Sequence, residues 1–148
     1  RAIVCICDSI DDLESEEDLL EVLRLANNYL DPGGIFVFDL NTPYKYREIL
    51  GDSVIAENRE ECSFIWENTF YEEDGVNEYD LTIFRKEEDD LYRKYEETHF
   101  QKAFEPERVK ELIREAGMEF VAEYDAFTRE APKSDSERLY FIAREQGK

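Results

Sequence analysis

Two apolar runs in this 148-residue sequence end on side chains that could do chemistry. Residues 2–7, Ala-Ile-Val-Cys-Ile-Cys, run into Asp8 and Ser9; residues 35–38, Ile-Phe-Val-Phe, finish on Asp39 and, two residues later, Asn41. Unbroken apolar runs of this length suit strands buried on both faces of a parallel sheet. In open α/β sheets ligands gather beyond the carboxyl ends of the strands, where carboxylates and amides can align and hydrogen-bond a small molecule. The same residue types also serve as turn and cap groups for purely local reasons. His99 is the only histidine and the only side chain whose ordinary pKa suits proton transfer near neutrality, which makes it the candidate catalytic base. Its competing reading is a strand histidine satisfied by a local partner. Tyr44, Tyr46, Trp66, Phe70 and Tyr71 could wall a substrate. Trp66 and Phe70 share one strand face and are expected to be core, while Tyr44 is kept as a substrate contact. One histidine, dispersed thiols and solvated acids give no recognisable ligand spacing, so no metal site is expected.

These residues need a scaffold, and the hydrophobic periodicity supplies one. Ser15 precedes Glu16, Glu17 and Asp18, a capping hydroxyl followed by acids suited to a helix N-terminus. Leu19, Val22, Leu23, Ala26, Tyr29 and Leu30 then recur at helical spacing as one apolar face, and Pro32-Gly33-Gly34 stops the helix and leads into the second strand. Strand, helix and strand within about forty residues make a βαβ unit over 1–52. From 53 to 104 the pattern changes to two-residue alternation, with an edge strand near 54–59, strands at 62–71 and 79–83, an Asp74-Gly75 turn and a strand at 91–100. This reads as an inserted antiparallel meander. Residues 105–148 return to a helix, opened by Pro106 and closed by Gly117, and two final strands at 120–124 and 138–143.

Composition limits what the scaffold can serve. A net charge of −20 repels polyphosphates, so neither nucleic acid nor an anionic membrane surface is an expected partner; a small molecule is. No apolar run approaches the length of a membrane span, and no secretory or lipidation signal opens the sequence. Cys5, Cys7 and Cys62 form an odd set, and the first two point the same way along a strand, which suggests reduced thiols and a cytoplasmic setting. The sequence begins at Arg1 and runs straight into a core-like strand, so it is expected to be part of something longer.

The order of elements resembles the C-terminal half of a class I S-adenosylmethionine-dependent methyltransferase, of the small-molecule type with a β-sheet insertion. Residues 30–39, LDPGGIFVFD, look like that family's helix-to-strand passage; residues 107–118, ERVKELIREAGM, resemble its late helix; Cys7-Asp8-Ser9 resembles its segment after the fourth strand. The resemblance implies a Rossmann-like α/β sheet whose strands here are the fourth to seventh, the last antiparallel and slotted between its neighbours. It implies S-adenosylmethionine as cofactor, with Cys7, Asp8 and Ser9 on the cofactor side and Asp39, Asn41 and Tyr44 on the substrate side. The family's Gly-rich loop and ribose-binding acid belong to its N-terminal half, and no Gly-x-Gly occurs here, so these residues alone are expected not to bind the cofactor usefully. Asp11-Asp12 also stands where the family commonly has Asn-Tyr. Two other readings stay open. One is a truncated, non-catalytic module that pairs with a partner chain or forms a homodimer through an exposed sheet edge; the other is a nucleotide-dependent oxidoreductase, which an antiparallel last strand would argue against.

Overall fold

The computed structural model describes residues 1–147, which form two four-stranded sheets. Strand β1 (Ala2–Cys5) leads into helix α1 (Glu16–Tyr29), which crosses to strand β2 (Ile35–Asn41). Ser15 caps α1: its Oγ accepts from Asp18 N at 3.1 Å and satisfies one of the unpaired donors of the first turn. The face expected from periodicity is the buried one for Leu19, Leu23, Ala26 and Leu30, but Tyr29 is 77% exposed. It stands at the frayed end of the helical stripe, beyond the reach of the sheet. Pro32-Gly33-Gly34 is not the helix cap itself. The helix stops at Leu30, and Gly34 N then donates to Asp31 O at 2.8 Å in a turn with Pro second and Gly33, at φ +74°, third. Gly34 is required by space, since a Cβ there would meet Asp31 O at 2.8 Å.

The chain next makes a π-helical turn (Lys45–Leu50) and enters the inserted sheet, β3 (Val54–Asn58), β4 (Cys62–Tyr71), β5 (Val76–Lys86) and β6 (Tyr92–Lys102), paired antiparallel in that order. Helix α2 (Pro106–Glu115) follows, then β7 (Met118–Asp125) and β8 (Arg138–Glu145). The core sheet has the order β1-β2-β8-β7, with β1 and β2 parallel and β8 antiparallel to both of its neighbours.

α1 and α2 meet at Asn27, whose Nδ2 donates to Ala116 O at 3.0 Å, and their apolar stripes pack with the alternate residues Phe36, Phe38 and Leu40 of β2 and Leu139, Phe141 and Ala143 of β8. Phe38 is fully buried and stacks on Phe36 at 5.0 Å and on Phe141 at 5.3 Å between centroids. Each such side chain stabilises the fold by roughly 1.5–3 kcal/mol. The first apolar run behaves differently from its reading as a doubly buried strand. β1 is the edge of the sheet, with Val4 61% and Ile6 43% exposed, because only β2 pairs with it and the helices cover one face. Among the described residues no helix is long and apolar enough to cross a membrane.

Candidate functional site

The carboxyl ends of β1 and β2 meet the first residue of β8, because the antiparallel register sets Arg138 opposite Asn41. Arg138 donates from Nη1 to Asp39 Oδ2 at 2.8 Å and from Nη2 to Asp8 Oδ1. Asp39 also accepts from Cys7 N at 3.3 Å and has a side chain only 2% exposed, so its charge is answered inside the protein. Burial disfavours the Arg138 cation, but its hydrogen bond to Asp39 and the field of Asp8 outweigh it and raise the guanidinium pKa.

The next layer passes through Asn41. Its Nδ2 donates to Asp8 Oδ1 at 3.0 Å, its Oδ1 accepts from Lys45 Nζ at 2.8 Å, and its backbone N donates to Asp11 Oδ1 at 2.9 Å. Tyr46 Oη donates to the same Asp11 oxygen at 3.1 Å and lies 3.3 Å from Gln101 Oε1. Asp11 is fully buried and its Oδ2 has no partner, so burial pushes its pKa up to about 7 despite the hydrogen bonds from Asn41 and Tyr46. Burial likewise holds the Tyr46 phenol well above its ordinary pKa. The π-helical turn makes this arrangement possible. Thr42 Oγ1 accepts from Lys45 N at 3.1 Å and Gly51 N donates to Tyr46 O at 2.7 Å, and the widened turn sends both Lys45 and Tyr46 toward Asn41.

Above this polar floor lies a cavity of about 410 Å³. Asp8, Asn41, Lys45 and Gln101 supply its polar end, and Leu50 together with the inward face of the inserted sheet, Cys62, Phe64, Trp66, Tyr79, Leu81 and Ile83, supplies apolar walls. Small-molecule sites have this size and this mixture of apolar wall and few convergent polar groups. Trp66 and Tyr79 meet edge to face at 5.7 Å, and Trp66 Nε1 is buried without a hydrogen-bond partner. A second hollow, about 600 Å³, shares Asp8 and Lys45 with the first and is bordered by Cys7 and by the loop carrying Lys133 and Asp135.

The structure thus brings together Asp8 and Asn41 of the residues singled out in the sequence. Cys7 faces the second hollow and, with Asp8, has a positive φ of 67° and 66° respectively. Ser9 is exposed and donates to Ile6 O at 3.4 Å. Asp39 lines neither cavity; it positions Arg138. Tyr44 opens onto a separate hollow beside Pro106 and Glu107. His99 stacks on Tyr79 at 4.8 Å as its direct partner on the neighbouring strand β6, on the same face of the sheet but not among the residues lining the cavity, with Nε2 3.2 Å from Glu97. Trp66 is cavity wall, which corrects its reading as core, because the inserted sheet reaches beyond the body of the core and leaves this face half open. Phe70 packs inward, parallel to Tyr46 at 6.1 Å. Tyr46, named in the sequence as one of several aromatics that could wall a substrate, instead lies in the polar floor; Lys45, Gln101 and Arg138 were missed, and Asp11 was noted only as a departure from the family pattern. Arg138 could have been found, since the first residue of an antiparallel strand slotted beside β2 must lie at the carboxyl end of β2. No periodicity announces a π-helical turn, so Lys45 carried no comparable signal.

No family model matches the sequence. The chain is 30% identical over 143 residues to "Putative methyltransferase YqeM" of Bacillus subtilis, covering 97% of this chain and 58% of that protein. It is 30% identical over 142 residues to "Putative methyltransferase GWCH70_2453" of a Geobacillus species, again covering 58% of that protein. Its structure matches an S-adenosylmethionine-dependent methyltransferase from Clostridium acetobutylicum with a TM-score of 0.90 at 23% identity, over 99% of this chain and 58% of that one. It also matches CalS10 of Micromonospora echinaspora, an amino pentose methyltransferase solved with S-adenosylmethionine bound, with a TM-score of 0.74 at 17% identity, over 97% of this chain and 57% of that one. The chain therefore spans under three-fifths of the length of the proteins it matches, and its fold is that of the C-terminal portion of a class I methyltransferase with an inserted sheet.

Proposed function

We propose that the chain forms the acceptor side of an S-adenosylmethionine-dependent methyltransferase acting on a small molecule, as part of a longer protein. The observation that carries this reading is the cavity enclosed between the carboxyl ends of the core strands and the inward face of the inserted sheet. The likeness to methyltransferases supplies the cofactor, and the 58% coverage of the relatives supplies the longer parent.

The residues present fit one side of that cofactor only. Cys7, Asp8 and Ser9 follow β1 and would stand beside it, but none of the six glycines follows a strand in a Gly-x-Gly loop. When bound, the sulfonium supplies the methyl group and its leaving group, and alignment is the main task left to the protein. This chain's own contribution is to exclude water with Phe64, Trp66, Leu81 and Ile83, and to orient an acceptor by hydrogen bonds from Asn41, Lys45 and Gln101. Asp39, Arg138 and Tyr46 hold those groups in place. His99 has a local partner and a stacking role at Tyr79, so replacing it with Ala in the full-length protein should lower turnover less than threefold. A tenfold loss would restore it as a base.

The test is transfer of a labelled methyl group by the full-length protein to a pool of small metabolites. Label should reach a small molecule, and Trp66→Ala should abolish transfer while leaving cofactor affinity intact; label appearing only on protein or nucleic acid would contradict the reading. The exposed edge of β1, with Val4 and Ile6 open, favours one other reading, a non-catalytic module that self-associates there. A strictly monomeric species of 17.6 kDa in sedimentation counts against it. The antiparallel β8 between β2 and β7 argues against an all-parallel dinucleotide-binding oxidoreductase.

A further inference from the structure

Lys45 sits where the apolar cavity meets the charged hollow behind it, and it lines both. Its Nζ donates to Asn41 Oδ1 at 2.8 Å, and among the described residues no carboxylate pairs with it. The chain has 38 acids against 18 lysines and arginines, and Lys102, likewise without a carboxylate, donates to Asp74 O and lines neither cavity. Lys86, Lys94, Lys110 and Lys133 each pair with a carboxylate within 2.9 Å. Two of the nearby acids are engaged elsewhere through one oxygen each, Asp8 Oδ1 with Arg138 and Asn41, and Asp11 Oδ1 with Tyr46 and Asn41. Burial lowers the Lys45 pKa and Arg138 lowers it further, while Asp8, Asp11 and Glu137 act in the opposite sense without pairing. An ammonium has three donors. One serves Asn41, and two face space that a ligand can enter.

The sign and size of the complementary charge follow from the surroundings. Arg138 is occupied by Asp39 and Asp8, so Lys45 offers a single point charge. Asp8, Asp11 and Glu137 stand close enough to repel a dianion, as does the net charge of −20. The same acids repel a carboxylate less than the more highly charged phosphate monoester, so the single positive charge of Lys45 favours a carboxylate. The apolar walls begin at once beyond this point, with room for a ring-sized body.

We infer that Lys45 determines acceptor specificity by holding the carboxylate of a monoanionic acceptor whose apolar body lies against Phe64, Trp66, Leu81 and Ile83. The word acceptor rests on the methyl-transfer reading; the binding itself does not.

Trp66 is the only tryptophan, so fluorescence excited at the red edge of tryptophan absorption, where the nine tyrosines are silent, reports on this cavity. The 148-residue chain is titrated, without cofactor, with cyclohexanebutyrate and with the matching neutral amide, neither of which absorbs in the range used. The acid should bind at least about tenfold more tightly than the amide, as a charge-assisted hydrogen bond in a partly buried site implies. Lys45→Met should remove the preference by weakening the acid and sparing the amide, and Lys45→Arg should keep most of it; far-UV circular dichroism shows that each variant folds. Equal affinity for acid and amide, a preference that survives Lys45→Met, tighter binding of cyclohexyl phosphate, or no binding of either cyclohexane probe would each overturn the inference. The methyl-transfer reading fails separately, when the full-length protein neither binds S-adenosylmethionine nor transfers its methyl group.

Discussion

Phe38 in the core sheet and Leu81 in the inserted sheet are both strand residues set among apolar neighbours, but Phe38 is sealed by two helices and Leu81 faces an open cavity. The contrast runs through both sheets. The core sheet buries Phe36, Phe38, Leu40, Leu139 and Phe141, whereas the fully buried positions of the inserted sheet are the amides Asn68, Asn77 and Gln101. Asn77 donates to Asn68 at 3.1 Å, at the end of the insert that leans on the core. Apolar side chains in the first region are used for stability; in the second they remain half exposed and shape a site. The seam between the regions is polar, built from Asp11, Tyr46, Asn41 and Gln101.

This division can be broken from the core outward. Phe38→Ala should cost about 3–5 kcal/mol, read as a fall in the urea midpoint, because it opens a cavity among stacked rings. A loss below about 1 kcal/mol would mean that the core is less tightly packed than the contacts at Phe36 and Phe141 imply.

At the seam, Asp11 titrates near 7 in the folded chain against an ordinary 3.8. Its folded pKa is the higher one, so its contribution is fully present below about pH 4 and is lost as pH rises through about 7, an effect on the order of 3–4 kcal/mol. Asp11→Asn should flatten that slope, leaving the variant more stable than the parent at pH 8; parallel stability profiles would show that Asp11 is charged throughout. Asp39→Ala leaves the Arg138 cation with Asp8 as its one remaining carboxylate and should cost about 2 kcal/mol, with Asp39→Ala/Arg138→Met recovering part of the loss in a double-mutant cycle. Equal losses in the single and double variants would remove the pair from the account.

The smallest effect on stability belongs to the insert. Leu81→Ala should cost about 1 kcal/mol or less, since the side chain is only partly withdrawn from water, yet weaken binding of an apolar ligand several-fold. A loss as large as that of Phe38→Ala would make the inserted sheet's face a core like the other.

The same division explains what could be read from the sequence. The strands and both helices were legible from apolar runs, from sequence alternation and from helical spacing, and Ser15, Pro106 and Gly117 mark helix ends by local physics, although β3 and most of β6 are exposed on both faces. The position of β8 followed from the family resemblance. An exposed sheet edge was foreseen in the self-associating reading, and among the described residues β1 pairs only with β2; the apolar run by itself looks the same whether or not a neighbour covers it. In the site, Asp8 and Asn41 were legible as polar endings of strands. Tyr46 was singled out only as an aromatic, not as a partner of Asp11, and Lys45 and Gln101 were not legible, because these residues come from a π-helical turn and from the far end of an inserted strand, and only the packing of one sheet against the other brings them to Asn41.

We propose that these residues build the acceptor wall and only one side of the cofactor site. Calorimetric titration of S-adenosylmethionine into the 148-residue chain, beside the same titration into a full-length relative, tests it most directly. Micromolar binding to the relative and none to the chain is the predicted result; micromolar binding to the chain itself would contradict it.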